Sequence, residues 1–299
     1  GVISGSATST GSFGDLKVAG NRIGINHNSV LLINGTGGGT NNTLIGEAAG
    51  VNIINSSGDY NTIIGQEAGY QLSSQSNNVM IGWYAGNRVT ATGNVYVGNE
   101  AGRFADDQGN NVAIGHQAMR ANASEGNDAL NNVAIGYQAM YSITDAQYNT
   151  AVGKSALSAV TSGGSNVALG YNALSANTTG YSNVGIGIQA LGEQTVTGNT
   201  NIAIGYQAGL KITSGGQNIM IGHRPAGYIS NCTNQLAIGY EALSNVSATT
   251  QNVAIGNYAL NKITAGTNSV AVGNYAGAYA TGSNNTFVGS DTGKGGTTG

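Results

Sequence analysis

One hydrophobic pattern is written along this chain again and again. In "NNVAIGYQAM", from Asn131, aliphatic residues stand one and three places before a glycine, a small residue lies between them, and Asn precedes the run. With that glycine as a marker, the pattern recurs at Gly46, Gly65, Gly82, Gly98, Gly115, Gly136, Gly153, Gly170, Gly187, Gly205, Gly222, Gly239, Gly256, Gly273 and Gly289. These are fifteen repeats, most often 17 residues apart, with longer gaps of 19 after Gly46 and 21 after Gly115. So short and regular a period predicts a solenoid of stacked coils, not a string of domains.

Positions one and three before the marker share a face of a strand, and β-branched residues dominate both, as a strand prefers. The residue between them is then expected to point away from the coil's own core. That column reads Leu44, Ile63, Met80, Tyr96, Ala113, Ala134, Ala151, Ala168, Gly185, Ala203, Met220, Ala237, Ala254, Ala271 and Phe287. An outward stripe of this kind is one that soluble monomers avoid, so it is predicted to face other chains, with the small residues allowing close approach around an axis.

The second half of the unit has Ala three after the marker and Leu, Met or Gly four after it. An aliphatic residue often follows at seven, as at Ile143, Val160, Ile212, Val246 and Ile263. Turn sequences close the unit: "TSGGS" from Thr161, "TTGYS" from Thr178, "TAGTN" from Thr264. Each unit therefore reads as strand, glycine turn, second short strand, polar turn. The fold class is all-β, a parallel β-solenoid or β-roll of about fifteen 17-residue coils over 41–293. Irregular or degenerate coils over 1–40 precede it and a flexible end, 294–299, follows. Asn stands four before the marker in thirteen of fifteen repeats, Gln235 and Ser269 being the departures. Stacked copies of Asn predict a hydrogen-bonded ladder.

Asn-x-Val-Ala-Ile-Gly-x-x-Ala resembles the head repeat of YadA-type trimeric autotransporter adhesins, and the pattern runs from about Asn42 to Gly293. The resemblance implies a left-handed roll, three chains around one axis and an attachment function. The family's repeat is typically shorter, and neither its heptad stalk nor its anchor barrel is seen here. Longer repeats of this kind are also similar to those in tail fibres of phages and large viruses, and "LKVAGNRIGINHNS" from Leu16 has the same flavour. The expectation is a non-enzymatic, rigid, trimeric extracellular rod, on a bacterial cell surface or a virion fibre, gripping a glycan or protein receptor by multivalent contacts. End-to-end joining into a filament stays open. The alternatives are a fibre-borne polysaccharide-binding or polysaccharide-degrading spike and a monomeric ligand-binding solenoid.

Composition narrows the partners. There are 50 glycines but one proline, and charged residues make up 8%, well under the usual ~25%. With 40% apolar residues, neither collagen nor a disordered tail fits. A net charge of −3 without a basic stripe disfavours nucleic acid and anionic membrane. No apolar run is long enough for a spanning helix, so direct membrane insertion is not expected. The chain starts at Gly1 without an initiator Met and is expected to be processed or part of something longer.

Candidate chemistry is sparse, and no catalytic, cofactor-binding or metal-binding residue is assigned. His27, His116 and His223 stand in separate contexts without zinc spacing, and Cys232 is alone. "GSDTGKGG" from Gly289 lacks phosphate-loop spacing, and "GIGIQALG" from Gly185 is one more repeat. The best carboxylate cluster is Glu100, Asp106 and Asp107, one coil from Arg120, Glu125 and Asp128; paired acids on a solenoid flank are what polysaccharide hydrolysis would use. The enlarged loop Ala123–Leu130 is the most distinctive surface feature and a candidate recognition surface, since insertions in a solenoid emerge on one side. Tyr137, Tyr171, Tyr206 and Tyr240 follow their markers directly, as does Trp83 with its neighbour Tyr84, and they predict an outer aromatic ladder that stiffens the corner. Sequons at Asn34 and Asn231 are expected by chance in so Asn-rich a chain.

Overall fold

The structure is a computed structural model, and it describes residues 16–17, 22–25, 29–33, 41–53, 56–106, 109–121, 128–245, 250–263 and 266–295. His27, Asn34, Asp107, Glu125, Val246 and the start of the Ala123–Leu130 loop lie outside the described residues. Two compact units divide the chain, Gly1–Gln147 and Tyr148–Gly299. The protein is all-β, with fifteen parallel strands stacked as a solenoid of about fourteen turns of about 17 residues.

In the first unit, β1 (Leu16–Lys17), β2 (Arg22–Ile25), β3 (Ser29–Ile33) and β4 (Thr43–Gly46) pair antiparallel in chain order. From β4 onward the pairing is parallel, through β5 (Thr62–Ile64), β6 (Val79–Ile81), β7 (Val95–Val97) and β8 (Val112–Ile114) to β9 (Val133–Ile135). In the second unit, nine strands, β10 (Thr150–Val152) to β18 (Thr286–Val288), pair in parallel at constant register: Ala168 opposite Gly185, Ala254 opposite Ala271.

Facing is the reverse of the sequence expectation. The strand-centre column is the core: Ala113, Ala134, Ala168 and Ala254 are fully buried within their own chain, as are Met80 and Tyr96. The flanking residues point out instead, and Ile114 and Ile219 are each 38% exposed. The coil is thin, and a three-residue strand can send only its middle side chain inward. The strand centre, the Ala three after the marker and the residue four after it meet there, with the aliphatic at seven closing the end; Ala134, Ala139, Met140 and Ile143 form one such set.

No second strand forms in the described coils. After the marker, the second and fourth residues adopt left-handed conformations, as Gln138 (φ 53) and Met140 (φ 50) do, and a third such residue precedes the Asn, as Asn131 (φ 58) does. The chain turns continuously instead of extending. Hydrogen bonds between neighbouring coils persist all the same. Val167 N–H donates to Asn183 O at 2.9 Å, Gly170 N–H to Val152 O at 2.9 Å, and Leu174 N–H to Ala190 O at 2.9 Å.

The marker itself must be glycine. Gly170 has φ +134, and a Cβ there would meet the carbonyl oxygen of Gly187, one coil on, at 2.7 Å. The Asn ladder is present and buried. Asn166 donates its backbone N–H and its Nδ2 to Asn149 Oδ1, at 2.9 and 3.0 Å, and its Nδ2 also reaches Gly180 O at 2.8 Å. Asn183 N–H then donates to Asn166 Oδ1 at 2.8 Å. Both departures keep an acceptor in the column: Gln235 Oε1 receives Asn252 N–H, and Ser269 Oγ receives Asn285 N–H, each at 3.2 Å.

Core volume is conserved by exchange between two positions. A large strand centre goes with glycine four after a marker: Met80 with Gly86, Tyr96 with Gly102, Phe287 with Gly293. A Cβ on Gly102 would come within 2.6 Å of the Tyr96 ring. Where both the coil's own centre and that of the next coil are small, the partner is Leu or Met, as in Ala168 with Leu174 and Ala254 with Leu260. Ala203 and Ala271, each followed by a large centre, have Gly209 and Gly277, whose Cβ would meet Met220 and Phe287 at 2.7 and 2.6 Å.

Two stability measurements follow. Asn166→Ala leaves Asn183 N–H without its buried acceptor and Gly180 O with only the longer bond from Asn177 Nδ2 at 3.3 Å, and is expected to cost about 1–3 kcal/mol; Asn166→Ser, retaining an acceptor as Ser269 does, costs less, and urea midpoints rank the two. Ala254→Met overpacks its coil by about 1–3 kcal/mol; adding Leu260→Gly restores part of that loss, whereas additive losses in the double variant would contradict the exchange.

Candidate functional site

Two surface features gather the side chains capable of recognition, one in each unit. In the first, Arg88, Arg103 and Arg120 come from successive coils and converge around Phe104. The guanidinium carbons of Arg103 and Arg120 each lie 4.9 Å from the Phe104 ring centre, and that of Arg88 lies 5.9 Å away. Arg103 also covers Tyr84 at 4.4 Å, and Arg120 covers Tyr141 at 5.6 Å.

Beneath them, the carboxylates are tied into ion pairs. Glu100 accepts from Arg103, from Arg120 Nε at 2.7 Å and from Gln117 Nε2 at 3.0 Å. Asp106 pairs with Arg88 at 3.0 Å. Burial pushes the Glu100 carboxyl up, but the hydrogen bonds from Gln117 and Arg120 and the charges of Arg103 and Arg120 outweigh it, leaving the group below the ordinary glutamate range. A proton-donating acid needs the opposite shift. Asp128 is held elsewhere, its backbone N–H donating to Asp145 Oδ1 at 3.4 Å. Thus Glu100, Asp106 and Arg120 are brought together, Asp128 is not, and Asp107 and Glu125 are outside the described residues.

The aromatic ladder lies in the second unit and is longer than its sequence signature. Tyr206, His223 and Tyr240 stack with ring centres 4.9 Å apart at both steps and interplanar angles of 23° and 9°. It then passes to the neighbouring column, Tyr258 meeting Tyr240 edge-on at 5.2 Å and Tyr275 face-on at 4.7 Å. The switch has a sequence signal: Asn257 and Asn274 occupy the position after the marker, and tyrosine moves one residue on. His223 is a rung of this stack, and His116 packs edge-on against Tyr137 at 5.4 Å in the first unit. Both histidines take the place of a tyrosine.

Every Lys and Arg whose side chain is described lies over an aromatic ring, a pairing that spacing alone did not reveal. Lys154 covers Tyr171, Lys211 covers Tyr228, Arg224 covers Tyr206, Lys262 covers Tyr279 and Lys294 covers Tyr275, at 4.3–5.7 Å. Such contacts contribute on the order of 0.5–1 kcal/mol each at exposed sites. Cys232 is buried, and burial pushes its thiol up to about 12, which leaves it inert at neutral pH. Among the described residues, no group of His, Cys, Asp and Glu is arranged to hold a metal ion, and no helix is long and apolar enough to cross a membrane.

No family model, curated protein or solved structure matches this chain. Its surface chemistry must therefore be read from the coils themselves.

Glu100 gives a pH test. Its folded-state pKa is depressed, so its stabilising effect is full above the ordinary glutamate pKa and is lost as pH falls through the folded value. Glu100→Gln is expected to lower the denaturation midpoint at neutral pH, and the gap from the wild type to shrink as pH falls below the ordinary glutamate pKa. A gap independent of pH would show that the pairing adds no charge-dependent stability.

Proposed function

We propose that the chain is a non-enzymatic structural segment of an extracellular fibre or adhesin, assembled as a homotrimer and attaching by repeated surface contacts. The observation that supports this reading is the outward face of the parallel strands. In the second unit alone, nine strands with two flanking side chains each present eighteen such residues, from Thr150 and Val152 to Thr286 and Val288. Sixteen are Val, Ile or Leu, two are Thr, and none is charged. A half-exposed aliphatic stripe this continuous is unusual on a soluble monomer and suits an interface between copies.

The interface is thus assigned to the residues that flank the alanine column, not to the column itself. Three copies, the extracellular setting, and the choice of bacterial surface or virion fibre come from the resemblance to YadA-type heads and viral fibres. Multivalence would let weak individual contacts add through avidity. The spare charge fits this use, since few exposed Lys and Arg side chains leave few sites for trypsin-like proteases.

Light scattering without denaturant is expected to give the mass of three chains. Ile204→Lys with Ile238→Lys, both on the outward face, should reduce it to one chain while the β circular dichroism persists. A wild-type monomer at micromolar concentration would sink the trimer reading.

A further inference from the structure

A groove of about 310 Å³ crosses the turn side of the second unit, over the coils marked by Gly239, Gly256 and Gly273. Its size falls at the lower end of the ~300–1,000 Å³ typical of small-ligand sites. Its lining includes Glu241, Asn245, Tyr258, Asn261, Lys262 and Tyr279.

These groups are held in place before any ligand arrives. Asn261 is buried, and its Nδ2 donates to Glu241 O at 2.8 Å, which fixes the amide and leaves Oδ1 as an acceptor. Tyr258 is clamped between Tyr240 and Tyr275, and Lys262 Nζ lies 5.3 Å over the Tyr279 ring. One face of Tyr258 is thus covered by Tyr275 and one face of Tyr279 by Lys262, which leaves less ring surface free for stacking. Such a lining is poor for a flat apolar ligand. Its one carboxylate and one ammonium cancel, so neither an anion nor a cation is favoured on charge. What remains is a set of side chains rich in donors and acceptors, a carboxylate, two amides, an ammonium and phenols, of the kind that hydroxyl groups can meet.

We propose that this groove binds a neutral carbohydrate, the terminal sugar of an oligosaccharide. The idea deepens the attachment reading by naming a ligand class, and rests on it for the source of that sugar. The groove is built within one chain, so it would survive the loss of the trimer.

The test is saturation-transfer NMR on the full chain with the methyl glycosides of galactose, glucose, mannose, N-acetylglucosamine and sialic acid. At least one neutral glycoside is expected to bind, with affinity falling about tenfold or more in Glu241→Ala. Asn245→Ala, at an exposed position, should weaken binding with an unchanged denaturation midpoint, which separates recognition from folding. Tyr171→Ala, far along the repeat, should leave binding unchanged. Binding confined to sialic acid, binding unaffected by both groove variants, or no signal from any neutral glycoside would each overturn the proposal. A monomer by light scattering that still binds would overturn the trimer and keep the groove.

Discussion

A coil of seventeen residues has almost no interior of its own, so the fold depends on how closely one coil can lie on the next. The marker glycines set that distance. Placing any side chain on Gly170 would drive a carbon into the Gly187 carbonyl, and its positive φ excludes most L residues from the same place. Backbone groups of strand and turn alike then bond along one direction, which is why a protein with only three residues in most of its strands can still satisfy its polar main chain. The Asn column extends the same bonding into the buried edge of each coil. There a side-chain amide serves as an extra peptide group, giving and accepting in step with the backbone.

Close stacking leaves little depth for the core. Only the strand centre and a short stretch after the marker reach it, and the left-handed residues at the second and fourth positions of that stretch turn their coil tightly enough to close it. Steric cost decides which residues tolerate this. Asn, Gln, Ser, Leu, Met and Tyr recur in the left-handed positions, while β-branched residues are nearly confined to strands and coil ends, Thr200 being the exception. The large aliphatic residues beside each strand centre are excluded from so thin an interior and line the outside.

Period, strand location, parallel register and the Asn ladder were all legible in the sequence, because each depends on spacing alone. The facing of the strand was not. Val133 and Ile135 carry the stronger hydrophobic signal, and alternation says only that they share a side, not which side is inner. Deciding that required the thickness of the coil, a property of stacked backbones that no single repeat displays. The second strand expected after the glycine failed for a related reason: Ala139 and Met140 are core residues in a turn, and their apolar character resembles that of a short strand. The charged side chains were harder still. Arg103 and Arg120 are recognisable as cations near Glu100, but their stacking on Phe104 depends on register between coils of 17 and 21 residues. The aromatic ladder was foreseen in part, through Tyr206 and Tyr240, and its sideways step to Tyr258 and Tyr275 only becomes visible once the coils are superposed.

The exchange of volume between strand centre and the fourth residue after the marker bears on how such an array can grow. Repeats multiply by copying a segment and inserting it among its neighbours. A copy cut from the Ala168–Leu174 region matches the coils around it wherever centres are Ala and partners Leu or Met. The same copy placed just before the Met220 coil would set a leucine where that side chain uses the space of Gly209. Duplication is therefore cheap inside a block of like coils and costly at a block's edge. The chain's bulky centres, from Leu44 to Tyr96 and again at Met220 and Phe287, mark the seams across which repeats cannot be freely shuffled.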